Sequence, residues 1–440
     1  MIDPQWVSRL ADFRPAWWLP GGHAQTLSAA FWKGPQPPEQ GLARRIELPD
    51  GDALVALDDR PPQWKAGDPA ILMMHGLGGS ARNPFLVRVT AKLLQRGVRV
   101  FRLNLRGCGV GAGMARLPYN AGRSGDLKAA VSAVIEWCRE PTRGIGFQPV
   151  TTWKADEVAE SGNATSTRGS QSHNSGPLSP PIDMAFTNDI TGGERVRVRG
   201  ATVKLTPPHP GPLPHSHAHP GHHTDCGGEG AEHGTVQSQD GRQAGSRSQS
   251  PLTLFGMSLS ANLLLKYLGE EGSHVPTEVH RAIAINPPID LARSVRTLER
   301  PLNRGYDQHF VKALIDHVRQ QSIHRPDFAA LPDPLPRTLF DFDDRFTAPH
   351  GGYPNAAAYY SAASAQARIP HIQIPTLILT AADDPLVPVE MFHEERANWP
   401  ESVQLAITRG GGHLGYVGHG HNDSDARWLD WRVCEFVTGG

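Results

Sequence analysis

The chain has 440 residues, 39% of them hydrophobic and 20% charged, with a formal net charge of −1. That length can build one large core, and the balanced charge excludes a global electrostatic attraction to nucleic acid, so specificity must lie in a local site. No apolar run approaches the roughly 20 residues of a membrane helix, "MIDPQWVSRLADFRPAWW" lacks the basic and apolar regions of a signal peptide, and Cys108, Cys138, Cys226 and Cys434 follow no paired spacing.

These features predict a cytoplasmic protein with reduced thiols, no disulfide framework, no metal site and no transmembrane segment, contact with lipid being left open only at the periphery. Oligomeric state is not legible.

In chain order, the first clear strand is "AILMMHG" (70–76), a continuous apolar run of the kind covered on both faces in a parallel sheet. The glycine-rich "MMHGLGGSARNPF" (73–85) leads from it into "FLVRVTAKLLQRG" (85–97), predicted as an amphipathic helix. "VRVFRLNL" (98–105) is the next strand. "SGDLKAAVSAVIEWC" (124–138) sets Leu127, Ala130, Val131, Val134, Ile135 and Cys138 at helical spacing behind Ser124, the predicted N-cap.

Residues 141–250 differ from everything around them, being rich in Gly, Pro, Ser, Thr and His with little apolar periodicity. Such a stretch buries too little apolar surface to offset the ordering of its backbone, so most of it is expected to be disordered. "LTLFG" (252–256) then resumes as a strand, "ANLLLKYLGEEG" (261–272) as a helix and "RAIAINPP" (281–288) as a strand. Within 291–370 the helix-like pieces "HFVKALIDHVRQQ" and "NAAAYYSAASAQA" are separated by Pro-rich loops and read as a lid. Strands "TLILTAAD" (376–383) and "VQLAITRG" (403–410) and helix "ARWLDWRVCEFV" (426–437) close the series.

Alternating strands and helices predict an α/β fold, a doubly wound and mostly parallel sheet with a helical lid and a long disordered insertion. One domain is expected to be assembled from 1–140, 251–290 and 371–440, interrupted by the 141–250 insertion and the 291–370 lid. A long surface loop has only a modest closure cost, so the insertion should leave the fold intact.

Reactive groups in such a sheet gather at the carboxyl ends of its strands. Ser258 follows "LTLF" and opens a helix in "GMSLSAN", so a tight strand–turn–helix would project its hydroxyl and aim backbone N–H groups at an oxyanion. Small flanks are required there, and Ser260, without a β-branch, adds little volume. Asp384 in "LTAADDPLVP" and His413 in "TRGGGHLGY" follow two later strands, giving the order Ser, Asp, His of a hydrolytic triad. After the first strand, the loop from His75 to Gly79 lets the amide of Leu77 join that of Leu259 as an oxyanion hole. Singly, each residue keeps a plain alternative: a helix-capping serine, a turn aspartate before Pro385 with Asp383 as a rival acid, a loop histidine. "HGLGG" carries neither G-K-[ST] nor G-x-G-x-x-G, which argues against a phosphate-gripping loop.

The stretches "PAWWLPGGHAQTL" (15–27), "HGLGGSARNPF" (75–85), "LNLRGCG" (103–109), "GMSLSAN" (256–262), "FDDRFTAPHGGYPNAAAYYSAAS" (342–364), "ADDPLVP" (382–388) and "GGHLGYVG" (411–418) resemble α/β-hydrolases, specifically the YheT/EMB8-like esterase group. The resemblance implies the α/β-hydrolase fold and hydrolysis of carboxylic esters, with short- to medium-chain acyl esters or acylglycerols as small-molecule substrates and no cofactor. It also implies Ser258, Asp384 and His413 as the catalytic residues. Two positions depart from the pattern: Ser260 stands where glycine is usual, and Asn120 where relatives often carry histidine.

Two further readings stay open at this point, an alcohol acyltransferase on the same fold and a non-catalytic binding protein with a degenerate turn. The histidines between His209 and His233 sit in a segment without fixed geometry and are not read as a metal site. His23 is expected to be a hydrogen-bonded structural residue, Arg106 to fix its own loop, and Trp17 and Trp18 either to cap the core or to border the acyl pocket.

Overall fold

A computed structural model describes residues 2–32, 41–140, 249–419 and 423–439, together with the backbone of 195–198 and 201–204. The chain divides into two compact units, Met1–Thr152 with Gly245–Gly440, and Trp153–Ala244. In the second unit, Arg195–Val198 (β5) and Ala201–Lys204 (β6) pair as an antiparallel hairpin. Apart from these strands and residues 249–250, the 141–250 segment, with its expected disorder and its histidines, lies outside the described residues, as does Cys226.

The first unit is built on an eight-stranded sheet in the order β1-β2-β4-β3-β7-β8-β9-β10. Its strands are Leu42–Glu47 (β1), Ala53–Asp59 (β2), Ala70–Met74 (β3), Arg99–Asn104 (β4), Leu252–Met257 (β7), Val279–Ile285 (β8), Thr376–Ala381 (β9) and Val403–Thr408 (β10). From β4 to β10 every pairing is parallel, and β1 and β2 are antiparallel additions at one edge. Neither of these edge strands is read from the sequence, and neither are the two N-terminal helices.

Alternate residues of each central strand serve opposite faces. Ile71, Met73, Phe255, Ile283 and Leu379 pack beneath Pro4–Leu10 (α1), Pro84–Leu94 (α3) and Trp428–Thr438 (α12). Leu72, Met74, Leu254, Ala284 and Ile378 pack against Ser124–Arg139 (α4) and Leu259–Glu271 (α5). Ser124 is the first residue of α4 rather than its N-cap, which is Arg123. Its hydroxyl bonds to Glu270 on α5 instead, so it ties two helices together and caps neither.

Residues 291–370 fold as helices on the carboxyl edge of the sheet: Leu291–Leu298 (α6), Arg304–His324 (α7), Leu339–Phe342 (α8), Ala348–His350 (α9) and Ala356–Ala363 (α10). A π turn, Asp343–Thr347, joins α8 to α9. Val295, Leu314, Val318, Phe342 and Phe346 from this layer join the α4/α5 core, with Leu77 and Leu259 packed against it. Gly21–Phe31 (α2) and Glu390–Glu395 (α11) complete the helices.

Candidate active site

Ser258 lies between β7 and α5 with φ 53° and ψ −125°, a left-handed conformation that costs a non-glycine residue energy and persists only when its surroundings enforce it. Gly256 is part of that enforcement: a Cβ there would lie 2.5 Å from the Ser260 carbonyl oxygen and 2.7 Å from Ala261 Cα, so strand and helix cross with no room for a side chain. Ser260 is wholly buried, and its Oγ accepts from the Met257 N–H at 3.0 Å while facing the carbonyls of Met74 and Met257 at 3.0 Å each. The serine therefore stitches the turn to β3.

His413 follows β10 in the run Gly410-Gly411-Gly412. Its Nε2 lies 2.8 Å from Ser258 Oγ and its Nδ1 2.8 Å from Asp384 Oδ2. The three side chains singled out at three strand ends are thus brought together by the fold. The Asp384 carboxylate is buried and fully engaged: Oδ1 accepts from the amides of Leu386 and Val387 at 2.8 and 3.1 Å, and Oδ2 also accepts from Asn286 Nδ2 at 2.6 Å. Asp383 turns the other way, accepting from the Gly412 amide at 2.8 Å and so holding the histidine loop.

Two supports of this arrangement are absent from the sequence reading. Asn286, at the end of β8 with φ 46°, donates to Asp384 while its Oδ1 accepts from Tyr416 Oη at 3.0 Å. The only hint in sequence is its place at a strand end before two prolines. The second support is α2. Thr26 Oγ1 accepts from the His413 N–H at 2.8 Å and donates to the Gly22 carbonyl at 2.7 Å, and the Gln25 amide exchanges hydrogen bonds with both the N–H and the C=O of Val417. A Cβ on Gly412 would lie 2.2 Å from the Gly22 oxygen. The loop is clamped backbone to backbone.

The proposed oxyanion donors flank the serine. Leu259 opens α5, and the first amides of a helix have no intrahelical acceptor. Leu77 follows Gly76, whose Cα stands so close to Ser258 that an added Cβ would lie 3.3 Å from the serine Cβ. This loop is rigidly held. His75 is fully buried and burial pushes its pKa down to about 4, so it is neutral at physiological pH. Its Nε2 accepts from the Leu105 amide at 3.2 Å, which leaves Nδ1–H to donate to the Gly76 carbonyl at 2.8 Å. The amide of Gly78 donates to Tyr119 Oη at 2.9 Å.

Arg106 engages Asp126, Asp52 and Asp50 and fixes the loop after β4. His23 Nδ1 lies 3.1 Å from Tyr306 Oη on α7. Trp17 and Trp18 are 77% and 45% exposed, so the expectation that they cap the core is not met. Asn120 Oδ1 accepts from the Gly122 amide and shapes its own turn. Among the described residues, no three His, Cys, Asp or Glu side chains gather as a metal site, and no helix is long and apolar enough to cross a membrane.

Residues 248–419 match the family described as alpha/beta hydrolase fold. The chain has the α/β-hydrolase fold. The chain is 29% identical to "Putative esterase YheT" of Escherichia coli over 43% of its own length and 55% of the relative. It is 32% identical to "Monoacylglycerol lipase" of Saccharomyces cerevisiae, over 42% and 41%. With "Embryogenesis-associated protein EMB8" of Picea glauca it shares 28%, over 43% and 42%. It spans about half the length of the curated relatives it matches.

Proposed function

We propose that this chain is a serine hydrolase that cleaves carboxylic esters, of short- to medium-chain acids or acylglycerols, through an acyl-enzyme on Ser258. The observation that carries the reading is one imidazole at 2.8 Å from both a strained serine hydroxyl and a buried carboxylate. Ser258 Oγ attacks the ester carbonyl carbon as its proton passes to His413 Nε2. Asp384 accepts from Nδ1–H, which fixes the tautomer and stabilises the imidazolium. The tetrahedral oxyanion is held by the amides of Leu77 and Leu259, each such donor lowering the barrier by about 3 kcal/mol. His413 then protonates the departing alcohol, and a water activated by the same imidazole releases the acid. No cofactor takes part in this cycle.

Names of relatives that contain "esterase" and "lipase" support the ester class. A fluorophosphonate probe with a p-nitrophenyl butyrate assay tests it. Wild type should be labelled on Ser258 and turn over the ester, and Ser258→Ala should lose the label and at least ~10⁴-fold in kcat. An unlabelled wild type, or equal labelling of Ser258→Ala, refutes the reading.

A further inference from the structure

Beneath the lid lies a largely enclosed chamber of about 60 Å³. Leu77 and Leu259, which flank Ser258 on its two sides, form one wall; Leu314, Val318, Phe342 and Phe346 form much of the rest. A polar wall interrupts this apolar lining, made by His317 of α7, Tyr119, Asn120 and the Asp343–Tyr360 pair. Most of those groups already have partners. Tyr360 Oη donates to Asp343 Oδ2 at 2.8 Å, the Gly78 amide donates to Tyr119 Oη, and Asn120 Oδ1 accepts from Gly122. His317 differs: its Nε2 is buried and has no hydrogen-bond partner among the described residues, and its ring stands edge-on to Tyr119 at 5.3 Å.

A buried nitrogen without a partner, on a residue lining a mostly apolar chamber, is a demand that a ligand oxygen would meet. The serine-hydrolase reading, on which this inference rests, says which part of the ester enters. The alcohol must leave after the first step, whereas the acyl group stays bonded to Ser258, so a chamber bounded by the residues beside Ser258 suits the retained acyl portion. Its size limits that portion. A dry cavity of about 150 Å³ holds benzene, so 60 Å³ admits roughly two or three heavy atoms beyond the carbonyl. The chemistry of the wall selects the substituent. A neutral imidazole nitrogen is either a donor or an acceptor, and a hydroxyl satisfies both forms; a carboxylate there would meet Asp343. We propose that the chamber binds the acyl chain of the substrate and that His317 Nε2 hydrogen-bonds a hydroxyl on it, making short hydroxyacyl esters the preferred class.

The test uses p-nitrophenyl esters in matched pairs, 2-hydroxypropanoyl against 2-methylpropanoyl and 3-hydroxypropanoyl against butanoyl, so that only OH and CH₃ differ within a pair and each acyl group has three heavy atoms beyond the carbonyl. Wild type should favour the hydroxyacyl member of at least one pair by about 10-fold or more in kcat/KM. His317→Leu should abolish that preference while keeping or raising kcat/KM for the methyl ester, and His317→Gln, which can still hydrogen-bond, should retain part of it. A wild type that favours the methyl ester in both pairs, or a His317→Leu enzyme that keeps the hydroxyl preference, overturns the proposal. Should Ser258 be labelled and p-nitrophenyl butyrate hydrolysed without any hydroxyl preference, the chamber assignment alone falls. Absence of both labelling and turnover takes down the hydrolase reading and this one with it.

Discussion

Ser260→Gly introduces the glycine that the resemblance to α/β-hydrolases leads one to expect at that position, and the structure predicts that it weakens the protein. The hydroxyl is wholly buried, accepts from the Met257 amide and donates toward the carbonyls of Met74 and Met257. Having one hydrogen, it makes one donated and one accepted bond at a time. Removing two buried bonds of about 1 kcal/mol each, and adding a few tenths for glycine in the first helical turn, gives a loss of about 2 kcal/mol. For a domain of about 320 residues that lowers Tm by about 3 °C. The Met257 amide directly precedes the strained Ser258, so kcat should fall as well, by about 3- to 10-fold if half of the lost energy reached the transition state. Thermal melts by circular dichroism, alongside kcat on p-nitrophenyl butyrate, measure both. A Ser260→Gly protein with unchanged or higher Tm and full activity would show that the serine is only a tolerated substitute and that its hydrogen bonds carry nothing.

Gly256→Ala drives a methyl onto backbone atoms at 2.5–2.8 Å that cannot move aside, so it should yield little folded protein, judged by yield and melting curve. Thr26→Val leaves the His413 amide without its acceptor; kcat should drop about 10-fold or more with KM nearly constant, and Thr26→Ser should recover it, because the hydroxyl rather than the methyl holds the loop. Asp343 gives a pH test. Burial pushes its carboxyl up to about 6, against about 4 in an unfolded chain, so between those values the folded state keeps a proton that the unfolded state releases. Stability from this group is present below pH 4 and lost as pH rises through 6, an interval of about two pH units or roughly 3 kcal/mol. Asp343→Asn lacks this slope, so urea titrations should show the variant gaining on wild type by about 2–3 kcal/mol from pH 4 to pH 7; a constant difference refutes the assignment.

The central strands were legible because a strand covered on both faces must be apolar throughout, and "AILMM", "LTLFGM" and "TLILTA" are nearly so. By the same logic β2 was not. "ALVALDD" ends in two aspartates whose burial makes sense only once Arg99 and Arg102 of β4 lie opposite, Arg99 pairing with Asp58 and Arg102 with Asp59. Helix α2, "GGHAQTLSAAF", carries no apolar stripe because its contacts with the histidine loop run through glycine, threonine and glutamine. Periodicity is silent on such a surface. Ser258, Asp384 and His413 stood out because chemistry restricts residue type at strand ends, whereas Asn286 and Thr26 act through neighbours that no local pattern discloses. For Ser260 the small volume was readable, and the hydrogen bonds were not.

The clamp between Thr26 and His413 joins positions 387 residues apart. A growing polypeptide therefore holds its serine long before the His413 loop has anything to lean on, and under the proposed chemistry activity arrives only when the two ends of the domain close on each other. On the proposed function, turnover would double as a report of completed folding, and a protease that nicked the segment around residue 20 would silence it while leaving Ser258, His413 and Asp384 intact.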